Sequence, residues 1–483
     1  MNDISTNIKK VLFVFLLCFL ALISYLTYFE IFKAPGVALR SENRRLWVKR
    51  NEVLRGTIFD RNSLPLTKST KIDQQSQKRE YTGGEMFSHV IGYEDVRYGL
   101  TGLEYKYDKE LMADDSTVSS FISQVKGEKE EEKVGHNLKT TLDYNLQKQA
   151  FNLLGDNRGA VVALNPKTGE ILAIVSKPSY DPNNIKGLMD SIKAADKNSD
   201  IIKNSPLTNR ATAGLYPPGS TFKTVTAIAA LENIDGVMNK TINDTGKLVF
   251  NKKQSMSNDE GEVLGNINFQ QAYVKSSNVY FGQLGLDLGN NKLKSVSEKL
   301  FFNKDVPADG VTIENSQFPT YKSYENGNIA QSAIGQSGVL ASPIEMAIIT
   351  SAIANNGVSM KPYLVGEVWD SKGKLINKVE AKSNGSVMSE GTAKTMRDFM
   401  RLVVKEGTGT SAAIDGIEVA GKTGTAENQN SVGVGQPPHS WFIGFAPYDN
   451  PQIAVAVIVE NGGYGAGKAA SIASQIMKSW LKK

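Results

Sequence analysis

The chain has 483 residues, of which 40% are hydrophobic and 22% are charged, and its formal net charge is +5. This charge is too small for a surface that binds nucleic acid through its phosphates, so we expect no nucleic-acid partner. The only cysteine, Cys18, lies in an apolar segment near the N-terminus, which excludes disulfides and thiol chemistry from the rest of the chain.

That apolar segment, residues 11–29, carries no charge and is long enough to cross a bilayer as a helix. Lys9 and Lys10 precede it, which favours a cytoplasmic N-terminus, although basic residues also follow it. A cleaved signal peptide is the alternative, but the segment is long and lacks an Ala-x-Ala exit. We therefore predict that residues 1–32 are a cytoplasmic tip and transmembrane anchor of a single-pass membrane protein whose catalytic domain is extracytoplasmic.

Residues 33–140 carry many charges and few long apolar runs. They include the run Gly-Glu-Lys-Glu-Glu-Glu-Lys at residues 127–133, which we predict to be an exposed loop or hairpin tip. The segment is too short for a glycosyltransferase domain. We interpret it as a pedestal domain that holds a catalytic domain away from the membrane.

Residues 141–483 differ in character, because strands and helices are predicted throughout. A hairpin is predicted from residues 159–165 and 170–176, which a Pro-Lys-Thr-Gly turn joins. Later in the chain, three strands and a terminal helix are predicted over residues 417–425, 440–445, 453–460 and 466–481. Early and late strands must meet in one sheet, which predicts an α+β domain with its site between the sheet and helices.

The helices between these strands begin with a chemically distinctive string, Ser220-Thr221-Phe222-Lys223. A Pro-Pro-Gly break precedes it and an apolar run follows, so we predict a helix start. Positions i and i+3 lie on one helix face, with Cβ atoms roughly 5–6 Å apart, so Lys223 can reach the Ser220 hydroxyl. A lysine activates a serine only if its surroundings keep it partly neutral, which a helix N-terminus and a second cation favour.

A second string, Ser276-Ser277-Asn278, lies between the apolar stretches 269–274 and 279–286. We predict a turn that directs a hydroxyl and a carboxamide into a cleft. Taken alone, Ser-x-Asn is more often a turn or a helix cap, and Ser-x-x-Lys is more often a solvated pair.

The third string, Lys422-Thr423-Gly424-Thr425, follows an apolar stretch and precedes a polar one, which predicts the end of an edge strand. Gly424 leaves room for a ligand, and backbone N–H groups of a strand edge can hold an oxyanion together with the N–H of a nucleophile. Lys422 supplies positive charge, and the hydroxyls of Thr423 and Thr425 can bond a carboxylate. Alone, Lys-Thr-Gly is most often a turn.

Together and in this order, the three strings match the signature of β-lactamases and penicillin-binding proteins. The chain resembles the class B, monofunctional penicillin-binding proteins, and the resemblance covers nearly everything after the anchor. Further similar stretches are residues 55–62 (Arg-Gly-Thr-Ile-Phe-Asp-Arg-Asn), 102–108, 159–182, 330–347, 407–410 and 441–447. The resemblance implies a pedestal, also called dimerisation, domain and a transpeptidase domain with a five-stranded antiparallel sheet covered by helices and an all-helical subdomain.

Carried over residue by residue, the resemblance implies that Ser220 attacks the penultimate D-Ala carbonyl of a peptidoglycan stem peptide. Lys223 would be the base, and Ser276 would relay a proton to the leaving group. An amine of a second stem peptide would then take the acyl group, and β-lactams would acylate the same serine. Asn278 would bind the substrate amide, and Lys422, Thr423 and Thr425 would bind the terminal carboxylate. Gly424 would also belong to the substrate-binding residues. The N–H groups of Ser220 and Thr425 would form the oxyanion hole.

Two departures from the pattern stand out. Ser277 occupies the position where class A β-lactamases carry Asp, and no Glu-x-x-Leu-Asn string follows within about 40 residues, which disfavours a β-lactamase. Ser63 stands where we expect a glycine after Asp60-Arg61-Asn62.

Other readings of the chain fit less well. Residues 462–468 match Gly-x-x-x-x-Gly-Lys, but Ala469 replaces the magnesium-binding hydroxyl, so we predict a glycine-rich strand-to-helix turn. A Ser-His-Asp hydrolase needs a suitable histidine, and we interpret His439 as a loop residue. The side chains of Trp441 and Tyr216 either line the cleft or pack in the interior of the domain. No cluster has the spacing of metal ligands, so we expect no metal and no cofactor.

Four functions stay open from the sequence: D,D-transpeptidase, D,D-carboxypeptidase, β-lactamase or β-lactam sensor, and scaffold for a glycan polymerase. The first is favoured, and it would place the chain in cell wall biogenesis and cell shape. The resemblance also implies a polytopic glycosyltransferase partner of the shape, elongation, division and sporulation family. Nothing in the residues distinguishes elongation from division or sporulation.

Overall fold

The computed structural model describes residues 2–29, 33, 47, 50–73, 76–113, 133–196, 199–252, 254–429 and 435–482. The charged run predicted as a loop lies outside these residues except for Lys133. The N-terminal helix is Asn2–Tyr28, and its portion Asn7–Tyr28 is apolar and long enough to cross a membrane. None of that portion is buried against other parts of the described protein, as expected of a membrane anchor.

A buried charge cluster joins two stretches of the pedestal. Arg55 is fully buried and donates to Glu104 and Asp108, both at 2.6 Å. Arg79 also binds Glu104 through its Nε at 2.9 Å. Because paired and hydrogen-bonded charges tolerate burial, this cluster can form part of a small core. Around it lie the short strands and helices Lys68–Lys71, Gln77–Glu80, Ser88–Ile91, Glu94–Asp95, Gly99–Leu100, Gly102–Lys106 and Asp108–Leu111.

The turn at Ser63 accommodates the missing glycine. Ser63 has φ +67°, in the left-handed region that glycine favours. The Asp60 carboxylate accepts the backbone N–H groups of Asn62 and Leu64 at 2.8 and 2.7 Å. These bonds hold the turn even though its left-handed position carries a side chain.

A four-stranded sheet connects the pedestal with the later chain. Its order is Ile58–Phe59, Asn137–Thr140, Val365–Trp369 and Leu375–Lys378. The first pair is parallel and the other pairs are antiparallel. This sheet contains strands from both sides of the boundary predicted at residue 140, so that boundary stays a prediction.

The later part of the chain is built on a five-stranded antiparallel sheet, which confirms the predicted strands. Their order is Ala420–Gln429, Gly435–Ala446, Ile453–Val459, Gly159–Leu164 and Ile171–Lys177. Val161 and Ala163 belong to the core on one face, and Ala160 and Val162 to the core on the other. Because helices cover both faces, the inner strands are continuous apolar runs. The covering helices are Tyr144–Leu154, Pro343–Ala354 and Lys468–Leu481.

The remaining lobe is mainly helical, with helices Lys223–Asn233, Phe269–Lys275, Asn278–Lys299, Asn326–Ser332 and Glu390–Glu406. The expectation of an all-helical subdomain is incomplete, because two antiparallel ribbons also belong to this lobe. They pair Thr241–Asp244 with Gly265–Asn268, and Lys247–Asn251 with Gln254–Ser257. All four strands are only four or five residues long, and three of them are mostly polar, so they show little of the alternation that predicts a strand. Elsewhere lie helices Ile185–Ala194 and Asp200–Asn204 and the ribbon of Val358–Met360 with Ser383–Ser386.

Candidate active site

The first string begins one turn earlier than the helix it was predicted to start. Gly219–Phe222 is a 3₁₀ turn, and the α-helix begins at Lys223. Ser220 is half-buried in this turn, whereas Lys223 is fully buried at the first helical residue. The turn thus leaves Ser220 partly accessible, whereas the Lys223 side chain is buried.

The third string lies within the edge strand Ala420–Gln429, so the prediction that it ends the strand is wrong. The strand continues because the neighbouring strand Gly435–Ala446 extends beside it and pairs as far as Gln429. Its register pairs Gly424 with Trp441.

Two glycines bring the edge strand against the turn that carries Ser220. A Cβ at Gly424 would lie 2.8 Å from Thr221 Cγ2 and 2.9 Å from the Pro218 oxygen. Gly219 has φ +52°, and a Cβ there would lie 2.4 Å from the Thr425 oxygen. Side chains at either glycine would push the two backbones apart, so both glycines are needed for this close approach.

The second string forms the predicted turn between two helices. Ser276 has φ +60° and ends the helix Phe269–Lys275. Ser277 caps the helix Asn278–Lys299, because its hydroxyl accepts the N–H of Tyr280 at 2.9 Å. A left-handed residue followed by an N-cap reverses the chain between the two helices and turns Ser276 and Asn278 towards the cleft.

The three strings meet at the hydroxyl of Ser276. Lys223 Nζ lies 3.2 Å from Ser276 Oγ and 2.6 Å from Asn278 Oδ1, and it also donates to the Ser276 carbonyl. Lys422 Nζ lies 2.9 Å from the same Ser276 Oγ and 3.1 Å from the Thr423 oxygen. The described hydrogen bonds of Lys223 therefore go to the second string and not to Ser220.

The surroundings of the two lysines favour proton loss. Burial and the neighbouring charge of Lys422 hold the pKa of Lys223 well below its usual 10.5. Burial lowers the pKa of Lys422 to about 7. A neutral amine has two N–H donors and one lone pair, and two carbonyl oxygens already face Lys223 Nζ. If the two N–H groups of a neutral Lys223 donate to these two oxygens, its lone pair is free to accept a proton from a hydroxyl.

A cleft of about 560 Å³ opens above these lysines. It is lined by residues of all three strings, namely Ser220, Ser276, Asn278, Thr423 and Thr425. Lys223 and Lys422 are fully buried beneath them. The structure therefore brings together the sequence-predicted site residues, with the nucleophile candidate on the surface of the cleft and both amines under it.

His439 is not a loop residue, so that interpretation is wrong. It belongs to the strand Gly435–Ala446 and packs edge-on against Tyr216, with ring centroids 5.6 Å apart. Proline and histidine near a hairpin end gave no strand signal in the sequence. Trp441 is fully buried and donates to the Pro217 oxygen at 3.1 Å, so it packs behind the Ser220 turn.

Two further groups support the site without having been predicted. The Thr408 and Thr423 hydroxyls lie 2.7 Å apart. Glu460 accepts from Tyr216 Oη at 2.8 Å and from Arg210 Nε at 2.7 Å, which fixes the segment before Ser220 to the end of a central strand. The only sequence signal for Glu460 was a charge at the end of an apolar strand.

The glycine-rich stretch before the last helix is a turn, as predicted, and the helix begins at Lys468. A Cβ at Gly465 would lie 2.2 Å from the Gly424 oxygen. This stretch therefore packs closely against the edge strand. Among the described residues, no group of histidine, cysteine and carboxylate side chains could hold a metal.

Comparisons with known proteins agree with this arrangement. Residues 159–478 match the penicillin binding protein transpeptidase domain, and residues 55–137 match the penicillin binding protein A dimerisation domain. The peptidoglycan D,D-transpeptidase PbpA of Mycolicibacterium smegmatis is 31% identical over 475 residues, covering 95% of this chain and 94% of the relative. The peptidoglycan D,D-transpeptidase MrdA of Acinetobacter baumannii is 32% identical over 451 residues, covering 83% and 66%.

Solved structures are similar along the same length. The ceftriaxone acyl-enzyme complex of penicillin-binding protein A from M. tuberculosis has a TM-score of 0.81 and 30% identity. The match covers 90% of this chain and 100% of that chain. The penicillin G acyl-enzyme complex of the same protein has a TM-score of 0.78 and 29% identity, over 89% and 99%.

Proposed function

The chain belongs to the penicillin-binding protein transpeptidase family and is a serine-type peptidoglycan D,D-transpeptidase, and we propose that Ser220 is the residue that forms its acyl-enzyme. The observation that carries this assignment is the buried amine of Lys223, which is held by Ser276 and Asn278 beneath the cleft that Ser220 lines. A hydroxyl in a cleft with a partly neutral amine behind it is the arrangement that serine activation requires.

In the acylation step, Ser220 Oγ attacks the penultimate D-Ala carbonyl carbon of a stem peptide, and the hydroxyl proton passes to the neutral amine of Lys223. The resulting oxyanion would accept the backbone N–H groups of Ser220 and Thr425. As the C–N bond breaks, Ser276 passes a proton from Lys223 to the departing D-Ala nitrogen. The contacts of Ser276 Oγ with Lys223 Nζ at 3.2 Å and Lys422 Nζ at 2.9 Å support this relay.

Substrate orientation would come from the edge strand and the second string. The terminal carboxylate of the donor peptide would bond the Thr423 and Thr425 hydroxyls near the charge of Lys422, and Asn278 would bond the peptide amide. In the second step, an amine of another stem peptide attacks the acyl carbonyl, gives up a proton through Lys223, and releases Ser220. A β-lactam presents a carbonyl and a carboxylate to the same groups, which accounts for covalent inhibition.

We assign the helix Asn2–Tyr28 as a single-pass anchor and place the catalytic domain outside the cytoplasm, where peptidoglycan is cross-linked. The apolar, unburied surface of Asn7–Tyr28 supports the anchor. We further assign a polytopic glycosyltransferase of the shape, elongation, division and sporulation family as partner, because a monofunctional transpeptidase needs a separate enzyme to make its glycan strands. Co-purification of that partner through anchor and pedestal, and its loss on replacement of the anchor, would test this assignment.

The first test is labelling of the full-length protein in detergent with a fluorescent penicillin, beside Ser220→Ala. A stable adduct that the variant lacks would identify Ser220 as the nucleophile. No adduct on folded wild-type protein would overturn the assignment, and rapid release of penicilloate would indicate a β-lactamase. Incubation with a stem-peptide donor and an amine acceptor then separates cross-linking from the D,D-carboxypeptidase reaction, in which water takes the acyl group.

A further inference from the structure

A buried carboxylate that the three strings do not contain supports the second of them. Asp244 ends the strand Thr241–Asp244 and is fully buried. It accepts the Ser277 hydroxyl at 2.5 Å, the Asn258 amide at 2.9 Å and the N–H of Gly246 at 2.8 Å. In the part of the chain that the structure describes, these three groups are the donors to Asp244, and all of them are neutral. The carboxylate is thus hydrogen-bonded but not balanced by an ion pair.

Asn258 transmits this support to the helix that begins at Asn278. Asn258 Oδ1 accepts the backbone N–H groups of Asn278 and Val279 at 2.8 and 3.1 Å. Ser277, which donates to Asp244, caps the same helix. The position of Asn278, and with it the contact to Lys223, therefore depends on Asp244 through two hydrogen-bonded side chains.

Asp244 is also close to the amine of Lys223, because its partner Ser277 lies between Ser276 and Asn278, the two residues that this amine contacts. The charged groups around that amine are Lys422, Asp259 and Asp244. Lys422 and burial lower the pKa of Lys223, whereas the two carboxylates raise it. Asp259 is exposed, so water and salt screen its charge. Asp244 acts through the protein interior, where charges interact more strongly.

We propose that Asp244 is a positioning residue for the transpeptidase reaction, which fixes Asn278 through Ser277 and Asn258 and supplies a buried negative charge close to the amine of Lys223. The inference rests on the proposed roles of Ser220 and Lys223. The middle residue of the second string, Ser277, thus donates to a carboxylate that comes from a ribbon 33 residues earlier in the chain.

The test is Asp244→Asn in the full-length protein, with the rate constant of acylation by fluorescent penicillin measured against pH. We expect the rate at neutral pH to fall about tenfold or more, because Asn278 loses its support. We also expect the acidic midpoint to move to lower pH, because removal of a nearby negative charge disfavours the protonated lysine. An unchanged rate, or a reduced rate with an unchanged midpoint, would overturn the proposal.

Two further variants complete the test. Asp287→Asn removes an exposed carboxylate from the helix Asn278–Lys299, where it pairs with Lys240. This variant should change neither the acylation rate nor the acidic midpoint. Ser277→Ala removes one hydrogen bond and keeps the charge of Asp244, so the rate should fall and the midpoint should stay. If Asp244→Asn does not fold, a Ser277→Ala rate within about twofold of wild type overturns the proposal. Failure of wild type to label would instead refute the assignment of Ser220.

Discussion

Lys223 and Lys422 both contact one hydroxyl, with Nζ atoms 3.2 and 2.9 Å from Ser276 Oγ. Two ammonium groups that contact the same hydroxyl repel each other strongly in a buried site, so the pair is most stable when one amine is neutral. The proposed chemistry assigns the neutral form to Lys223, which takes a proton, and the charged form to Lys422, which faces a carboxylate.

The first prediction is a bell-shaped pH dependence of penicillin acylation. The rate should rise as Lys223 loses its proton and fall as Lys422 loses its own, with the alkaline limb near the pKa of about 7 that burial gives Lys422. The measurement is the second-order rate constant from about pH 5 to pH 10 for the free enzyme. A rate that only increases across this range would contradict a required positive charge on Lys422.

The second prediction concerns Gly424→Ala. Because the added Cβ would meet Pro218 and Thr221 at less than 3.0 Å, the edge strand and the Ser220 turn must separate. We expect acylation to slow by about a hundredfold, as for a displacement of about 1 Å in an active site. The control is Gly391→Ala, where nothing lies within 4 Å of the new Cβ, and which should label like wild type.

The third prediction is that Ser63→Gly stabilises the pedestal. Ser63 has φ +67°, a conformation that costs a residue with a Cβ about 1 kcal/mol and glycine very little. Glycine loses more backbone entropy on folding, so the net gain should be about 0.5 kcal/mol or less. Urea unfolding measures it. Ser471→Gly, in the helix Lys468–Leu481, should lower the free energy of unfolding. A lower free energy of unfolding for Ser63→Gly would refute the explanation that the backbone at Ser63 favours glycine.

The fourth prediction is a pH-dependent gain in stability from Glu345→Gln. Glu345 is fully buried, and burial raises its pKa to about 8 from 4.5, with Ser316 opposing this only in part. The folded state thus keeps a proton that the unfolded state releases, so the wild type should lose stability as pH rises from about 4.5 to 8, by up to ~1.4 kcal/mol per unit.

Glutamine removes this loss, since it cannot ionise. The unfolding midpoint of Glu345→Gln relative to wild type should therefore be higher at pH 8 than at pH 5. Glu390→Gln, at an exposed position, should give the same small difference at both pH values. Parallel pH profiles for wild type and Glu345→Gln would show that Glu345 ionises without cost in the folded protein.

Three strands of the catalytic sheet, Gly159–Leu164, Ile171–Lys177 and Ile453–Val459, were predictable because they are apolar runs, as expected of strands covered on both faces. The strings around Ser220, Ser276 and Lys422 were predictable from residue type and order. No local pattern points to Asp244, because its partner Ser277 is 33 residues away and its strand is short and polar. The continuation of the edge strand past Thr425 depends on the length of its neighbour, which local composition does not reveal.

The four-stranded sheet that connects the pedestal with the later chain determines how the protein can be divided. Asn137–Thr140 lies between Ile58–Phe59 and Val365–Trp369, so strands distant in sequence complete one hydrogen-bonded layer. Truncation at residue 140 would leave the backbone groups of Val365–Trp369 without the partners on that side. Pedestal and enzyme should therefore unfold together, and loss of activity after pedestal deletion would report on folding of the enzyme as much as on recruitment of a partner.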